Sequence, residues 1–313
     1  MDILTDILNS AGLHKSLLVR RAIYKPWAIR FPCVKSMGFH VVTHGKVYVR
    51  ASRFSEPLAL ERGDIVLMKR GFDHEIATDP DLPSATQSVD ESNPVVVTAD
   101  TPDAKPLAVL VCGVYQFQTP PIHPLFAELP EVLVIRASEI ASHSPLYAAQ
   151  QLLAAEMAQS ESEQGTDSVV KSLVDVMFQY ILRDWLNRKA DRESAGPSHW
   201  SQVLRDTHLS RAIQAVHAQP ESTWTLDVLA RTAGLSRAAL AQRFKRLAGD
   251  TPAHYIAKVR VQRAMDLLRA TDDSVERIAQ RVGYGDPFVF SKVFKRIQGV
   301  SPRQFRTSLA QTA

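Results

Sequence analysis

LDVLARTAGLSRAALAQRFKRLAGDTPAHY (Leu226–Tyr255) and SVERIAQRVGYGDPFVFSKVFKRIQGVSPRQF (Ser274–Phe305) read as one short helix–turn–helix written twice. Ala230 and Gly234 recur as Ala279 and Gly283 at an offset of 49. Phe244, Lys245, Arg246, Gly249 and Pro252 recur as Phe294, Lys295, Arg296, Gly299 and Pro302 at an offset of 50, so one residue is inserted between the two sets. In the first copy Leu226, Leu229 and Ala230 make the apolar face of a short helix. Gly234 then ends it, because glycine reaches positive φ without a Cβ penalty. Ser236 is placed to cap the next helix. On that helix Leu240, Phe244 and Leu247 recur at spacings of four and three and face inward. Ile278, Val282, Phe290, Phe294 and Ile297 fill the same inward places in the second copy, with Asp286 as the cap and Pro287 at the first helical position. Between the copies, Ile256, Val259, Ala264, Leu267 and Leu268 predict one long helix over Ala253–Ala270.

A helix presented in this way fits the major groove of B-DNA. The outward residues of the first are Arg237, Ala238, Ala241, Gln242 and Lys245. Those of the second are Phe288, Val289, Ser291, Lys292 and Lys295. Charge placement agrees. Residues 201–313 carry 18 Lys/Arg against 9 Asp/Glu, a net of +9, whereas residues 1–200 carry 19 against 24, a net of −5. The basic charge lies where phosphate contacts would need it. A plain helical scaffold with a solvated basic face does not require that asymmetry.

Residues 207–313 resemble the DNA-binding domain of the AraC/XylS family of bacterial transcription regulators. The resemblance rests on A-x-x-x-G-L-S at Ala230–Ser236, F-K-R-x-x-G-x-x-P at Phe244–Pro252, I-A-x-x-V-G-Y at Ile278–Tyr284 and F-S-K-x-F-K-R-x-x-G-x-S-P at Phe290–Pro302. It implies that the second helix of each motif reads DNA, through Arg237, Ala238, Ala241 and Gln242 in the first copy and Phe288, Ser291 and Lys292 in the second. Ala238 and Ala241 are small, which leaves Arg237 and Gln242 as the main readers of the first copy. Pro287 and Phe288 stand where the family usually carries polar residues. That directs the second copy toward phosphate contacts and an apolar contact with a thymine methyl group.

The rest of the chain reads differently. Its 313 residues suffice for two domains, and 45% hydrophobic with 22% charged residues is an ordinary globular composition. Two cysteines are too few for a disulfide scaffold, which predicts a reducing cytoplasm. MDILTDILNS lacks the basic start of a secretory signal, and no apolar run reaches membrane-spanning length. After a short amphipathic helix over residues 2–11, alternating or apolar runs predict strands. These are Ser16–Ile23, Gly38–His44, Lys46–Arg50, Leu58–Leu60, Ile65–Met68, His74–Ala77, Pro94–Thr98, Leu107–Tyr115 and Glu131–Arg136. Many short strands at close spacing point to an antiparallel barrel or sandwich. Thr78–Pro106 is rich in Asp, Ser, Thr and Pro and reads mostly as a surface loop; PPIHPLFAELP (Pro120–Pro130) reads as a rigid connector. Helices follow at Leu146–Met157 and Val169–Leu186. The second has a wide apolar stripe that must meet the barrel or a second subunit.

LERGDIVLMKRGFDHEI (Leu60–Ile76) resembles the second motif of cupin barrels through Gly63, Asp64, Gly71 and His74, with Lys69 in place of the usual proline. In metal-binding cupins a histidine of this motif joins ligands from an earlier strand pair. Here His40 and His44 precede it, spaced by four rather than two, which on a regular strand still puts both on one face. His40, His44 and His74 are therefore candidates for an effector or metal site, weighed against satisfied barrel histidines, and no cofactor is assigned. Cys112, in an apolar strand, reads as a buried small hydrophobe, and Lys35 beside Cys33 could lower its thiol pKa. The V-C-G run at Cys112 also resembles regulators of this layout in which cysteine oxidation switches DNA binding. Cys33 and Cys112 are thus redox candidates against the alternative of inert thiols.

The expected architecture is α+β in two domains. A cupin-like antiparallel barrel with flanking helices (1–190) senses an effector and mediates dimerisation. A linker (191–206) leads to an all-α double helix–turn–helix domain (207–313) with motifs at 226–247 and 274–297. The expected protein is a cytoplasmic transcription regulator and not an enzyme. Its partners would be double-stranded promoter DNA, a small-molecule or oxidant effector, RNA polymerase and a second copy of itself, with no membrane. The rivals are a metal-dependent cupin dioxygenase or isomerase tethered to DNA, and an architectural nucleoid protein of little sequence preference.

Overall fold

The computed structural model describes residues 3–10, 13–34, 36–86, 88–89, 105–117, 123–158, 165–192 and 200–310. The expected strand Pro94–Thr98, Lys35 and most of the expected linker lie outside these. The chain divides into two compact units.

One unit comprises His14–Gln118 and Leu129–Arg188. Its strands are β1 (Leu13–Ile23), β2 (Ala28–Phe31), β3 (Ser36–Arg50), β4 (Leu58–Glu61), β5 (Ile65–Met68), β6 (His74–Ala77), β7 (Ala108–Phe117) and β8 (Val132–Ile135). They form an eight-stranded sheet in the order β1-β7-β3-β5-β8, with β2 pairing β6 and with β4 and β6 both on β3. Every strand pair with a described register is antiparallel. β2 carries no strong alternation in sequence and was not among the expected strands.

The expected strands Gly38–His44 and Lys46–Arg50 are one strand, β3, of 15 residues. It stays continuous because Gly45 takes φ +74 beside Leu107 and Ala108, and because its register against β7 shifts between Val42 and His44. Gly63, at φ +88, makes the turn into β5. The buried Asp64 beside it accepts the Glu61 N–H at 3.1 Å, the Ala137 N–H at 2.8 Å and the Arg136 guanidinium at 2.7 Å. The Gly–Asp of the cupin-like run thus ties the β4–β5 turn to the end of β8, with its buried charge paired and hydrogen-bonded.

Helices α3 (Pro145–Ala158) and α4 (Thr166–Arg192) complete this unit. The apolar stripe of α4 is consumed within the chain: Val170, Val174, Met177, Phe178, Ile181, Leu182 and Trp185 are all buried. Phe178 stacks on Tyr115 of β7 at 4.3 Å, and the Tyr115 hydroxyl donates to Asp175 at 2.7 Å. Gly113 belongs to this contact, since a Cβ there would lie 2.6 Å from the Phe39 ring and 2.9 Å from Val174.

The other unit comprises Met1–Leu13, Thr119–Glu128 and Lys189–Ala313. It is helical: α1 (Ile3–Ser10), α2 (Pro124–Glu128), α5 (Trp200–Arg205), α6 (Thr207–Ala218), α7 (Leu226–Ala233), α8 (Arg237–Ala248), α9 (Pro252–Ala270), α10 (Val275–Arg281), α11 (Pro287–Gln298) and α12 (Pro302–Ala310). This corrects the simple division at 190 and 206. The amphipathic α1 packs on α6 and α9, and the proline-rich connector carries α2, which packs on α5. The linker reading fails at residue 200, because Trp200 is fully buried and starts a helix that packs on α6 and α8. Burial of a tryptophan outweighs the polar composition of its surroundings.

Candidate DNA-reading face and buried sensor cluster

Each turn of the repeat is built by the residues that its sequence marks. Ser236 caps α8 by accepting the Ala239 N–H, and Asp286 caps α11 by accepting the N–H groups of Phe288 and Val289. Gly234 ends α7 at φ +69, and Gly283, its counterpart, sits at φ +85. Inward, Leu240 and Phe244 of α8 and Phe290 and Phe294 of α11 are buried. Val261, Ala264, Met265, Leu267 and Leu268 of α9 join Ile278, Ala279, Val282, Phe290, Phe294 and Phe305 in one core. The long helix between the copies therefore supplies the wall on which the second copy is built. Arg260 of α9 fastens the seam, donating to the carbonyls of Pro220 at 2.7 Å and Ser222 at 2.8 Å while lying over the Tyr284 ring.

Outward, Arg237, Ala238, Gln242 and Lys245 of α8 are exposed and Ala241 is half-buried. On α11 Phe288, Lys292 and Lys295 are exposed and Ser291 is half-buried. Helical spacing brings residues 238, 241, 242 and 245 to one side of α8, and 288, 291, 292 and 295 to the matching side of α11. Arg237 pairs with Asp227 of α7 at 3.2 Å; both groups are well exposed, so water screens the pair and its hold is weak. Lys245 donates to the carbonyl of Gly249 at 3.2 Å, at the end of its own helix. Arg243, which the sequence reading passed over, pairs with Asp206, the residue that also caps α6.

A second group lies inside the helical unit, where sequence spacing could not place it. Tyr255, at the start of α9, touches Phe244 of α8 and stacks on Trp200. Its hydroxyl lies 3.1 Å from His123 Nε2 and 2.7 Å from His217 Nε2. His123 Nδ1 accepts the Leu125 N–H, so its proton is on Nε2 and points at Tyr255, whose own hydroxyl proton goes to His217. Burial holds both imidazoles below the ordinary histidine range. A groove of about 1080 Å³ in the same unit is lined by Asp6, Arg211, Glu221, Arg263, Asp266 and Arg281 among others, and by no residue of α8 or α11.

The sensing candidates divide. His40 on β3 and His74 on β6 are buried and meet, with His40 Nε2 2.9 Å from His74 Nε2. His44 is exposed, because the register shift between Val42 and His44 breaks the alternation that would have put it beside His40. Cys112 of β7 stands directly across from His40, its Sγ 2.8 Å from His40 Nδ1. His74 Nδ1 faces the Phe72 carbonyl at 3.0 Å and must donate to it. In the uncharged chain His40 Nε2–H therefore donates to His74 and the Cys112 thiol donates to His40 Nδ1. Phe31 covers the pair, stacked on His74 and edge-on to His40. Burial pushes the His74 imidazole down to about 4.

Cys33 belongs to the same core but not to this chain of contacts. It is a non-glycine residue at φ +47, and its carbonyl accepts from Ser36 and Gly71. Burial pushes its thiol up to about 11, while Lys35, from which a lowering was expected, lies outside the described residues. Among the described residues no group of three or more His, Cys, Asp or Glu side chains is arranged to hold a metal ion. Among them, too, no helix is long and apolar enough to cross a membrane.

Comparison with known proteins matches residues 2–187 to a cupin family and residues 229–308 to a helix-turn-helix domain family. The chain is similar to the HTH-type transcriptional regulator MtrA of Neisseria gonorrhoeae, with 32% identity over 98% of each chain. It is also similar to a putative AraC-like transcription regulator of Streptomyces lividans, with 28% identity over 98% of each chain. A further relative, an HTH-type transcriptional regulator of Haemophilus influenzae, is 27% identical over 99% of this chain and 100% of its own. These relatives are regulators rather than enzymes. The chain belongs to the AraC-type transcription regulators, with a cupin domain in its N-terminal part and a DNA-binding helix-turn-helix domain in its C-terminal part.

Proposed function

We propose that the protein reads a specific promoter through α8 and α11 and that its cupin domain sets when it does so. The carrying observation is the pair of capped helices with matching outward faces in the basic part of the chain. Sensing falls to the β-sheet unit and reading to the helical unit, of which α1, α2 and α5 are parts. A footprint of the full-length protein across its own genome tests the proposal. A few sharp sites beside related genes are expected, whereas broad, sequence-indifferent occupancy would make it an architectural protein.

In the first copy Gln242 and Arg237 make the base contacts. Gln242→Ala is expected to cost about 1–3 kcal/mol of specific binding, the value of one bidentate base contact. Unchanged affinity for the selected site would refute this role. Lys245 and Lys295, one helical turn beyond the readers, contact phosphates. Replacing both by alanine is expected to weaken binding to all sequences and to flatten the slope of log K against log salt by about 0.9 for each phosphate no longer neutralised. An unchanged slope rules these phosphate contacts out.

The signal enters at the Cys112–His40–His74 chain, where a thiol is hydrogen-bonded to a base inside an apolar wall. A small effector or an oxidant acting there would change the packing of β3, β6 and β7 together and shift the balance between binding-competent and incompetent states. The protein would act as a cytoplasmic homodimer that meets RNA polymerase at the promoter. For the dimer, the exposed Tyr147 and Leu152 of α3 and Val169 and Val176 of α4 offer apolar surface, as do Val34 and Leu107 elsewhere in the same unit.

A further inference from the structure

We propose that the second recognition helix selects its half-site by apolar contact between Phe288 and the 5-methyl group of a thymine in the major groove. The proposal rests on α11 being the second recognition helix and names the chemistry that it reads. Phe288 is 79% exposed, the most exposed large apolar side chain among the described residues, and Val289 beside it is 49% exposed. A single exposed apolar residue needs no explanation. These two are adjacent, lie in the first turn of the helix, and share it with Pro287, so that turn carries no side chain able to hydrogen-bond a base edge.

The first turn of a recognition helix is the part that reaches base edges. Phe288 stands at the repeat position of Ala238, on the face that it shares with Ser291, Lys292 and Lys295. It is held there by its own backbone, whose N–H donates to Asp286 at 2.7 Å. Lys292 and Lys295 lie one and two turns further on, placed for the phosphate walls. Of the groups that a base pair shows in the major groove, only the thymine methyl is apolar. The two copies then read by different means: the first through the polar Gln242 and Arg237, the second through a methyl group.

The test begins with duplexes selected from a random library by the full-length protein. The half-site read by the first copy is identified as the one at which Gln242→Ala relaxes base preference. Each thymine of the other half-site is then replaced by uracil, which removes only the methyl group. At one or more positions the Kd is expected to rise about fourfold, the worth of one methyl-sized group withdrawn from contact. Phe288→Ala should bind the thymine and uracil duplexes equally, and Phe288→Leu should keep part of the difference. At the same position 5-methylcytosine should bind tighter than cytosine. The proposal falls if uracil is tolerated throughout that half-site, if Phe288→Ala keeps the thymine preference, or if cytosine and 5-methylcytosine bind alike there. Failure to select any sequence would refute specific DNA reading itself, and this proposal with it.

Discussion

Replacing Gly283 by alanine is expected to destabilise the helical unit by about 2–5 kcal/mol and to abolish selective DNA binding, while the β-sheet unit stays folded. Two costs add. At φ +85 any side chain pays the left-handed penalty, about 1–2 kcal/mol. The new Cβ would also lie 2.5 Å from the Glu221 carbonyl oxygen and 2.9 Å from the Arg260 guanidinium, an overpacking worth about 1–3 kcal/mol more. Neither neighbour yields easily, since one is backbone and the other is fastened to the Pro220 and Ser222 carbonyls. The turn between α10 and α11 must open, and the second reader loses its aim. Gly234 is the internal control. It has the same role and a similar φ, yet the nearest atom to its Cβ is the far end of the Arg211 side chain at 3.0 Å. Gly234→Ala should therefore cost only about 1–2 kcal/mol. Denaturant unfolding of both variants checks this; equal costs would mean that the Glu221 contact does not constrain the turn.

The second large effect is on acid stability. His74 is buried and neutral, held at about 4 against an ordinary value of 6.5. Its folded pKa is lowered, so the unfolded chain binds the extra proton first as the pH falls. The stability that depends on neutral His74 is complete above about pH 6.5, declines from there, and is lost by about pH 4. Its size is about 3 kcal/mol. Structurally, a proton on His74 Nε2 would face the N–H of His40 across 2.9 Å and break the chain to Cys112. His74→Gln keeps an acceptor for His40 and a donor for Phe72 but cannot titrate. The stability difference between the wild type and this variant should change by about 3 kcal/mol between pH 7 and pH 4, measured by unfolding of the β-sheet unit. A constant difference across that range would show that His74 does not titrate as described.

Together the two predictions separate the units. The glycine substitution acts on the helical unit and spares the β-sheet unit, whereas the acid transition acts on the His40–His74 pair and should leave the caps of α8 and α11 intact.

What the sequence determined is what short-range chemistry encodes. The caps at Ser236 and Asp286, the helix end at Gly234 and the inward rows of α8 and α11 follow from spacings of three and four and from which residues satisfy helix ends. β5 and β6 fall where an apolar run and an alternating one stand between turn residues. The cluster of His40, His74 and Cys112 depends on distant partners. His40 and Cys112 are 72 residues apart and meet through the pairing of β3 with β7, and the bulge that turns His44 outward belongs to that pairing rather than to β3 alone. The same holds for α1, α2 and α5, whose short segments gain their positions from packing. Trp200 is buried among His123, Tyr255 and the helices around them, although the residues beside it in the chain are polar. The tertiary structure alone decided which histidines meet and which segments join the reader, because both depend on contacts closed over long loops that no local pattern records.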